Sequence, residues 1–137
     1  MIDIESKVYN DVVTAVEAEY PDAGFASVYV QDVPQLPFVS FYEGDNAAYQ
    51  RSVTNTCLEN HARIMFECNV YAAKKAAAKA IAAIVDDKMQ QFGFHRSFKG
   101  ETPNMDDRIF RITLRWTGIV SKGITDGDTT THIVYGG

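Results

Sequence analysis

The stretch from His61 to Tyr71, HARIMFECNVY, decides the fold class, because apolar side chains occupy every second position. These positions are Ala62, Ile64, Phe66, Cys68 and Val70. Successive side chains of a strand point to opposite faces, so the pattern predicts a long central strand with one buried face. The next segment, Ala72 to Phe92, predicts an amphipathic helix. Its expected apolar stripe consists of Ala77, Ile81, Ile84, Val85, Met89 and Phe92.

Three elements are predicted before the central strand. The segment Asp3 to Tyr20 has an apolar residue at every fourth position, which predicts a second amphipathic helix. Asp3 can cap the start of this helix, and Pro21 ends the pattern. The alternating run Phe25 to Val30 and the run Phe38 to Glu43 predict two strands.

A long connection is expected between these strands and the central one. Gly44 to Asn60 follows neither helical nor strand spacing, apart from one helical turn around 46–51, and is rich in Asn, Thr, Ser and charge. Connections of about this length in compact domains are usually functional or disordered. Tyr49 and Arg51 are residue types enriched at protein interfaces, so we expect an assembly loop that becomes ordered against a neighbouring subunit or a partner protein. The alternative is a plain flexible surface loop.

The C-terminal part is predicted to return to the sheet. Gly93 ends the second helix, and Phe94 occupies the apolar position of a Schellman cap, which leads the chain directly into a strand. A polar turn at Lys99 to Asp107 is expected next. Arg108 to Ile119 then alternates, with Arg111 and Arg115 on the outer face and the apolar residues inward.

The chain is expected to close with a hairpin. Asp126-Gly127 is a turn signal, and His132 to Tyr135 predicts a short last strand. Strands joined by short turns favour antiparallel pairing, and two amphipathic helices suffice to cover one face. We therefore predict a single α+β domain over residues 1–137. Its mostly antiparallel, twisted sheet would have about four to five strands, with both helices on one face. The other face, with Arg111 and Arg115, would be wet or covered by a neighbour.

The charge is unevenly distributed along the chain. Its net value is −5 and the pI is about 5.1, which argues against a sequence-independent grip on nucleic acid. Residues 1–60 have a net charge of −8 and residues 61–137 a net charge of +3. The acidic part of one subunit could meet the basic part of the next, or the fold could intermix the two halves.

Three lysines are candidate contact residues. Lys74, Lys75 and Lys79 crowd the first turns of the second helix, where positive charge opposes the helix dipole. They either serve an acidic partner surface or are ordinary solvated lysines.

Signals for catalysis are weak. We find no P-loop, nucleophile elbow, dinucleotide-binding fingerprint or HExxH sequence. Cys57 and His61 have no visible orienting group for thiol chemistry. Cys68 is expected to be a buried, reduced thiol. We therefore expect no enzyme activity and no cofactor.

The acidic residues likewise give no clear metal or acid–base site. Asp126, Asp128 and His132 have ligand atoms, but Asp-Gly-Asp is first a turn sequence and its spacing matches no calcium loop. The side chains of adjacent pairs point apart, so Asp86-Asp87 and Asp106-Asp107 are interpreted as solvated surface. Neither a signal peptide nor a membrane-spanning run is visible, so we expect synthesis and assembly in the cytoplasm.

Several segments, taken in order, carry a family resemblance. They are Leu36 to Glu43, Glu67 to Lys74, Phe92-Gly93-Phe94, Arg96-Ser97-Phe98, the turn at Pro103, Ile109 to Gly118 and His132 to Tyr135. In element order, length and these loose motifs, nearly the whole chain resembles the tail terminator (tail completion) and minor-capsid-type head-tail joining proteins of long-tailed bacteriophages. The Gly- and Thr-rich segment Gly123 to Thr131 departs from the family.

This resemblance implies a virion protein that forms a hexameric ring on the tail tube, ends tube polymerisation and presents a surface to the head-tail connector protein. DNA would pass through the ring without specific binding. The partner protein of the assembly loop would be the tail tube. Two alternatives stay open: a neighbouring head-completion or neck ring protein, and a small ligand-binding or hydrolytic α+β domain.

Overall fold

The computed structural model describes residues 2–48, 61–101, 108–125 and 128–136, with residues from 121 onward described by their backbone alone. Two helices and six strands are present in these ranges. They are α1 (Glu5–Glu19), β1 (Gly24–Ala26), β2 (Phe38–Ala48), β3 (His61–Ala72), α2 (Lys75–Gln91), β4 (His95–Glu101), β5 (Phe110–Thr125) and β6 (Asp128–Gly136). The predicted α+β class is confirmed.

One sheet of order β1-β2-β3-β5-β4 forms the framework. Only β1 and β2 are parallel, and every other pair is antiparallel. Residues 118–121 of β5 pair with both β3 and β6, so β6 extends the edge of β5 to which β4 is bonded. The mostly antiparallel sheet is as predicted, and the short β1 and the terminal β6 bring its strands to six.

Both helices lie on one face of the sheet and touch each other, α1 over β2 and α2 over β3, β4 and β5. The helix-side residues predicted for the central strand are all fully buried, from Ala62 to Val70. Aromatic rings fill the middle of this core: Phe41 stacks on Phe66 at a centroid distance of 5.1 Å, and Phe94 meets Phe66 edge-on at 5.4 Å. Such burial is the main stabilising term of the fold.

The end of α2 forms the predicted Schellman cap. Gly93 has a φ of 91°, the Phe94 amide donates to the Met89 carbonyl at 3.0 Å, and the Gly93 amide donates to the Gln90 carbonyl at 2.9 Å. The start of α2 differs from the prediction, because β3 continues through Ala72 and the helix begins only at Lys75. Its buried stripe is also rotated toward Ala78, Ala82 and Asp86, with Ala77, Ile84 and Phe92 only partly buried.

The predicted strand Phe25 to Val30 was wrong after Ala26. Residues 27–37, which we call the strap, no longer pair with β2, and residues 28–30 contact the sheet face opposite the helices, here called the outer face. The Ser40 hydroxyl donates to the Val28 carbonyl at 2.6 Å, and the Tyr71 hydroxyl to the Val30 carbonyl at 3.5 Å. Here the strap carbonyls accept hydrogen bonds from side chains of the sheet, in place of the backbone pairing of a strand. The side chains of Val28 and Tyr29 are largely exposed.

The connection predicted from Gly44 begins later than expected. β2 continues to Ala48 and stays paired with β3 across a bulge between Glu43 and Asp45. A bulge inserts an extra residue and shifts the side-chain alternation, which is why these residues showed no strand period. The helical turn expected from Asn46 onward is therefore wrong for residues 46–48. Tyr49, Arg51 and Cys57 lie outside the described residues.

The expected turn from Lys99 was also placed too early, because β4 extends through Glu101. Thr125 pairs with Asp128, the pairing of a two-residue hairpin, although Asp126 and Gly127 themselves lie outside the described residues. Neither α1 nor α2 is long and apolar enough to cross a membrane.

Candidate assembly surfaces

Arg111 and Arg115 lie on the outer face of β5, as the alternation predicted. Arg111 donates from Nε and a terminal nitrogen to Asn69 Oδ1, at 3.1 and 3.0 Å, and Thr113 donates to the same oxygen at 2.7 Å. Asn69 is fully buried, so one amide oxygen at the sheet centre fixes the arginine in place. The face is less open than expected, because Ser40, Asn69, Tyr71 and Thr113 are buried there.

Arg115 is held by an ion pair. Its Nε lies 2.8 Å from Glu67 Oε1, and the Tyr42 hydroxyl donates to the other oxygen of the same carboxylate. Burial raises the pKa of Glu67, but the hydrogen bonds from Tyr42 and Arg115 outweigh it and leave that pKa below its usual value. Burial and the bond to Glu67 raise the pKa of Tyr42. The group therefore holds one carboxylate charge, one guanidinium charge and a neutral phenol at pH 7.

Aromatic rings flank both arginines. The Arg111 guanidinium lies 5.7 Å from the Tyr29 ring centre and 5.6 Å from that of Tyr71, and Arg115 lies 5.2 Å from Phe98. Tyr29 and Phe98 are 54% and 43% exposed. We call these five residues the outer-face arginine surface. Arginine held on aromatic rings is pre-organised for protein contact, because little side-chain freedom remains to be lost.

The predicted lysines gather at the β4 edge. Lys74 precedes the first residue of α2, and Lys75 Nζ lies 3.0 Å from Glu101 Oε1. The hydrogen bond from Lys75, and the charges of Lys75, Lys79 and Lys99, lower the pKa of Glu101. A single carboxylate thus feels the positive charge of three lysines. We call Lys74, Lys75, Lys79, Lys99 and Glu101 the basic edge. Sequence analysis missed Lys99 because it fell in a predicted turn.

A group of carboxylates lies at the opposite side of the sheet, beside β2. The Glu43 amide donates to Glu5 Oε2 at 2.7 Å. Burial raises the pKa of Glu43, an Asn46 hydrogen bond opposes this, and the charges of Glu5, Asp3 and Asp45 raise it further. We call Asp3, Glu5, Glu43 and Asp45 the acidic edge. The only sequence signal for it was the acidic excess of the N-terminal half.

Asp86 corrects the prediction that both members of Asp86-Asp87 are solvated. Asp86 is 7% exposed, and its carboxylate accepts hydrogen bonds from Arg96 at 2.7 Å, Gln90 at 2.8 Å and Trp116 Nε1 at 2.8 Å. Its neighbour Asp87 is exposed, so the two side chains point apart as expected. Asp86 ties α2 to β4 and β5, and its saturated hydrogen bonding makes it a structural residue.

The other residues considered for catalysis or metal binding form no site among the described residues. Cys68 is buried with a free thiol, and burial raises its pKa, as expected for an inert cysteine. Within the described residues, no three His, Cys, Asp or Glu side chains could hold a metal ion. Cys57, Asp106, Asp107 and Asp126 lie outside the described residues, as do the side chains of Asp128 and His132.

A surface groove adjoins the end of α2, with walls formed by Gln90, Gly93, Phe94, His95 and Arg96. These wall residues come from one short stretch of chain, and Arg96 is already bonded to Asp86. The groove thus lacks the convergent polar groups typical of a ligand site.

No family model matches this chain, and no curated protein matches it either.

Proposed function

We propose that this chain is a structural protein of a long-tailed bacteriophage that forms a ring, expected to be hexameric, on the end of the tail tube. The ring would end tube polymerisation and offer its other side to the head-tail connector, while DNA passes through without specific binding. The observation that carries this proposal is the outer-face arginine surface. It has the aromatic and arginine residues of protein contact surfaces, and its two arginines are held by Asn69 and Glu67 beneath them.

The element order of the chain supports the same assignment through its resemblance to tail terminator proteins. The net charge of −5 also suits a ring through which DNA slides, because a strongly basic lumen would hold phosphates. A neck ring protein would share these features but would bind the portal side. The proposal therefore predicts that the protein binds tail tubes directly, without the connector.

Tube growth tests the role of this surface. Tubes polymerised with the wild-type protein should stop at a defined length, whereas the double variant Tyr29→Ala, Phe98→Ala should let them grow longer. Both side chains are exposed, so the free energy of unfolding of the variant should differ from that of wild type by no more than about 0.5 kcal/mol. Arg63→Ala is the matched control, because Arg63 is exposed on the same face but lies four residues, about 13 Å along β3, from Glu67, which is level with Arg115 and Phe98.

The outcomes separate the candidate functions. Tubes that ignore the wild-type protein while isolated connectors bind it would favour a neck ring. If tubes reach the same length with the double variant as with wild type, the outer-face arginine surface has no role in ending tube growth.

A further inference from the structure

We propose that two copies of this chain associate head to tail, with the acidic edge of one copy against the basic edge of the next. The inference deepens the proposed function, because it names the surfaces by which subunits of the ring would join. It stands on the placement of charge in the fold.

The sheet order keeps the acidic N-terminal part of the chain and the basic C-terminal part on different sides of the fold. α1, β1 and β2 come from the first 48 residues and lie together on one side, whereas α2, β4 and β5 form the other side. Residues 2–48 contain nine Asp or Glu and a single lysine. The alternative that the fold intermixes the two halves is therefore wrong for these elements.

The two edges occupy separate places along the sheet. Four residues lie in one row across neighbouring strands. The row runs from Lys99 in β4 through Leu114 in β5 and Cys68 in β3 to Phe41 in β2. Phe41 is two residues from Glu43, so the centres of the two edges differ by about 7 Å along the strands. Across the strands they are three spacings, or about 14 Å, apart.

Each edge has unbalanced charge. The charges of Lys75, Lys79 and Lys99 act on the one carboxylate of Glu101, and Lys74 adds a positive charge at the residue before Lys75. At the acidic edge, no ion pair between described residues involves any of the four carboxylates. Opposite charges from a second copy would relieve the repulsion within each edge.

The arrangement also limits the symmetry of the contact. A twofold contact centred on one edge alone would place like charges together, because each copy would present the same patch there. A twofold contact that paired both edges at once would stop at a dimer, which sedimentation distinguishes from larger assemblies. A head-to-tail contact instead joins unlike edges and repeats from copy to copy. Such contacts give rings when the rotation closes and filaments when it does not.

Charge reversal provides the test. The variant Lys79→Glu, Lys99→Glu leaves the basic edge with more negative than positive charges, and the variant Asp3→Lys, Asp45→Lys leaves the acidic edge with no net charge. All four side chains are exposed, so the subunits should fold. We expect wild type to sediment as oligomers whose mass falls toward the 15.3 kDa monomer as salt is raised, because exposed charges are screened.

Each variant alone should sediment as a monomer. An equimolar mixture should form heterodimers, because the intact acidic edge of the first variant can meet the intact basic edge of the second. The control variant Asp22→Lys, Asp32→Lys carries the same charge change on exposed residues outside the acidic edge and should behave as wild type. A monomeric wild type at every concentration, variants that assemble like wild type, or a mixture that stays monomeric would each overturn the inference.

This test is independent of tail joining. If charge variants stay monomeric on their own but cap tubes normally, the inference fails as the basis of the ring, while the proposed function stands. If rings form as expected but never bind tubes, the proposed function fails and the inference stands.

Discussion

At the scale of single residues, Asp86 links more of the fold than any other polar side chain discussed above. Its carboxylate holds Arg96 of β4, Trp116 of β5 and Gln90 of its own helix. Replacing it with alanine leaves a buried indole N–H and a guanidinium without their acceptor, which should cost about 3 kcal/mol. Urea unfolding of Asp86→Ala measures this loss. Asp87→Ala, exposed and adjacent, should change stability by less than about 0.5 kcal/mol, and equal losses in the two variants would contradict the assignment.

Glu67 gives the outer face a pH dependence. Because its pKa is lowered in the folded protein, its ionised form contributes stability above the usual value of 4.5 and loses it as pH falls through the folded pKa. The stability difference between wild type and Glu67→Gln should therefore be largest near neutral pH and shrink below about pH 4. Urea midpoints measured across this range provide the test. A difference that grows on acidification would contradict the shift.

Sequence patterns predicted which face these residues occupy and missed their partners. Alternation placed Arg111 and Arg115 outward because side-chain direction in a strand is a local property. Their ring partners Tyr29 and Phe98 come from a strap and an edge strand, whose positions depend on the whole fold. Asp86 was misjudged for the same reason, since Trp116 is 30 positions away in the chain.

At the scale of elements, the cap of α2 gives a sharp prediction. Gly93 adopts a φ of 91°, which a residue with a Cβ adopts only with strain. Gly93→Ala should destabilise the protein by about 1 kcal/mol, measured by thermal or urea unfolding. Gln91→Ala, exposed on the last turn of the helix, is the control and should be nearly neutral. An unchanged stability in Gly93→Ala would show that the cap is dispensable.

The elements themselves were predicted where local spacing was sufficient. The central strand, both helices and the Schellman cap follow from periodicity and from one glycine. The strap, the bulge in β2 and the length of β4 depend on hydrogen bonds between distant residues. For example, the Ser40 hydroxyl donates a hydrogen bond to the Val28 carbonyl, two residues after β1 ends. No local pattern in the sequence indicates this bond.

At the scale of the whole molecule, the assembly loop stays a prediction for residues 49–60. We expect Tyr49→Ala with Arg51→Ala to impair joining of tails to heads, because these residue types suit a contact that forms on assembly. The subunit's unfolding midpoint should not change. Hydrogen exchange of the wild-type loop, in free protein and in completed tails, is the companion measurement. Equal exchange in the two states would remove the loop from assembly.

The central claim is that this chain caps tail tubes as a ring, and electron microscopy of purified protein mixed with tail tubes tests it most directly. The account predicts one ring of six subunits at a single end of each tube, with no protein along the sides and no further growth from the capped end. Bare tube ends at saturating protein, or tubes that grow on past the bound protein, would contradict it.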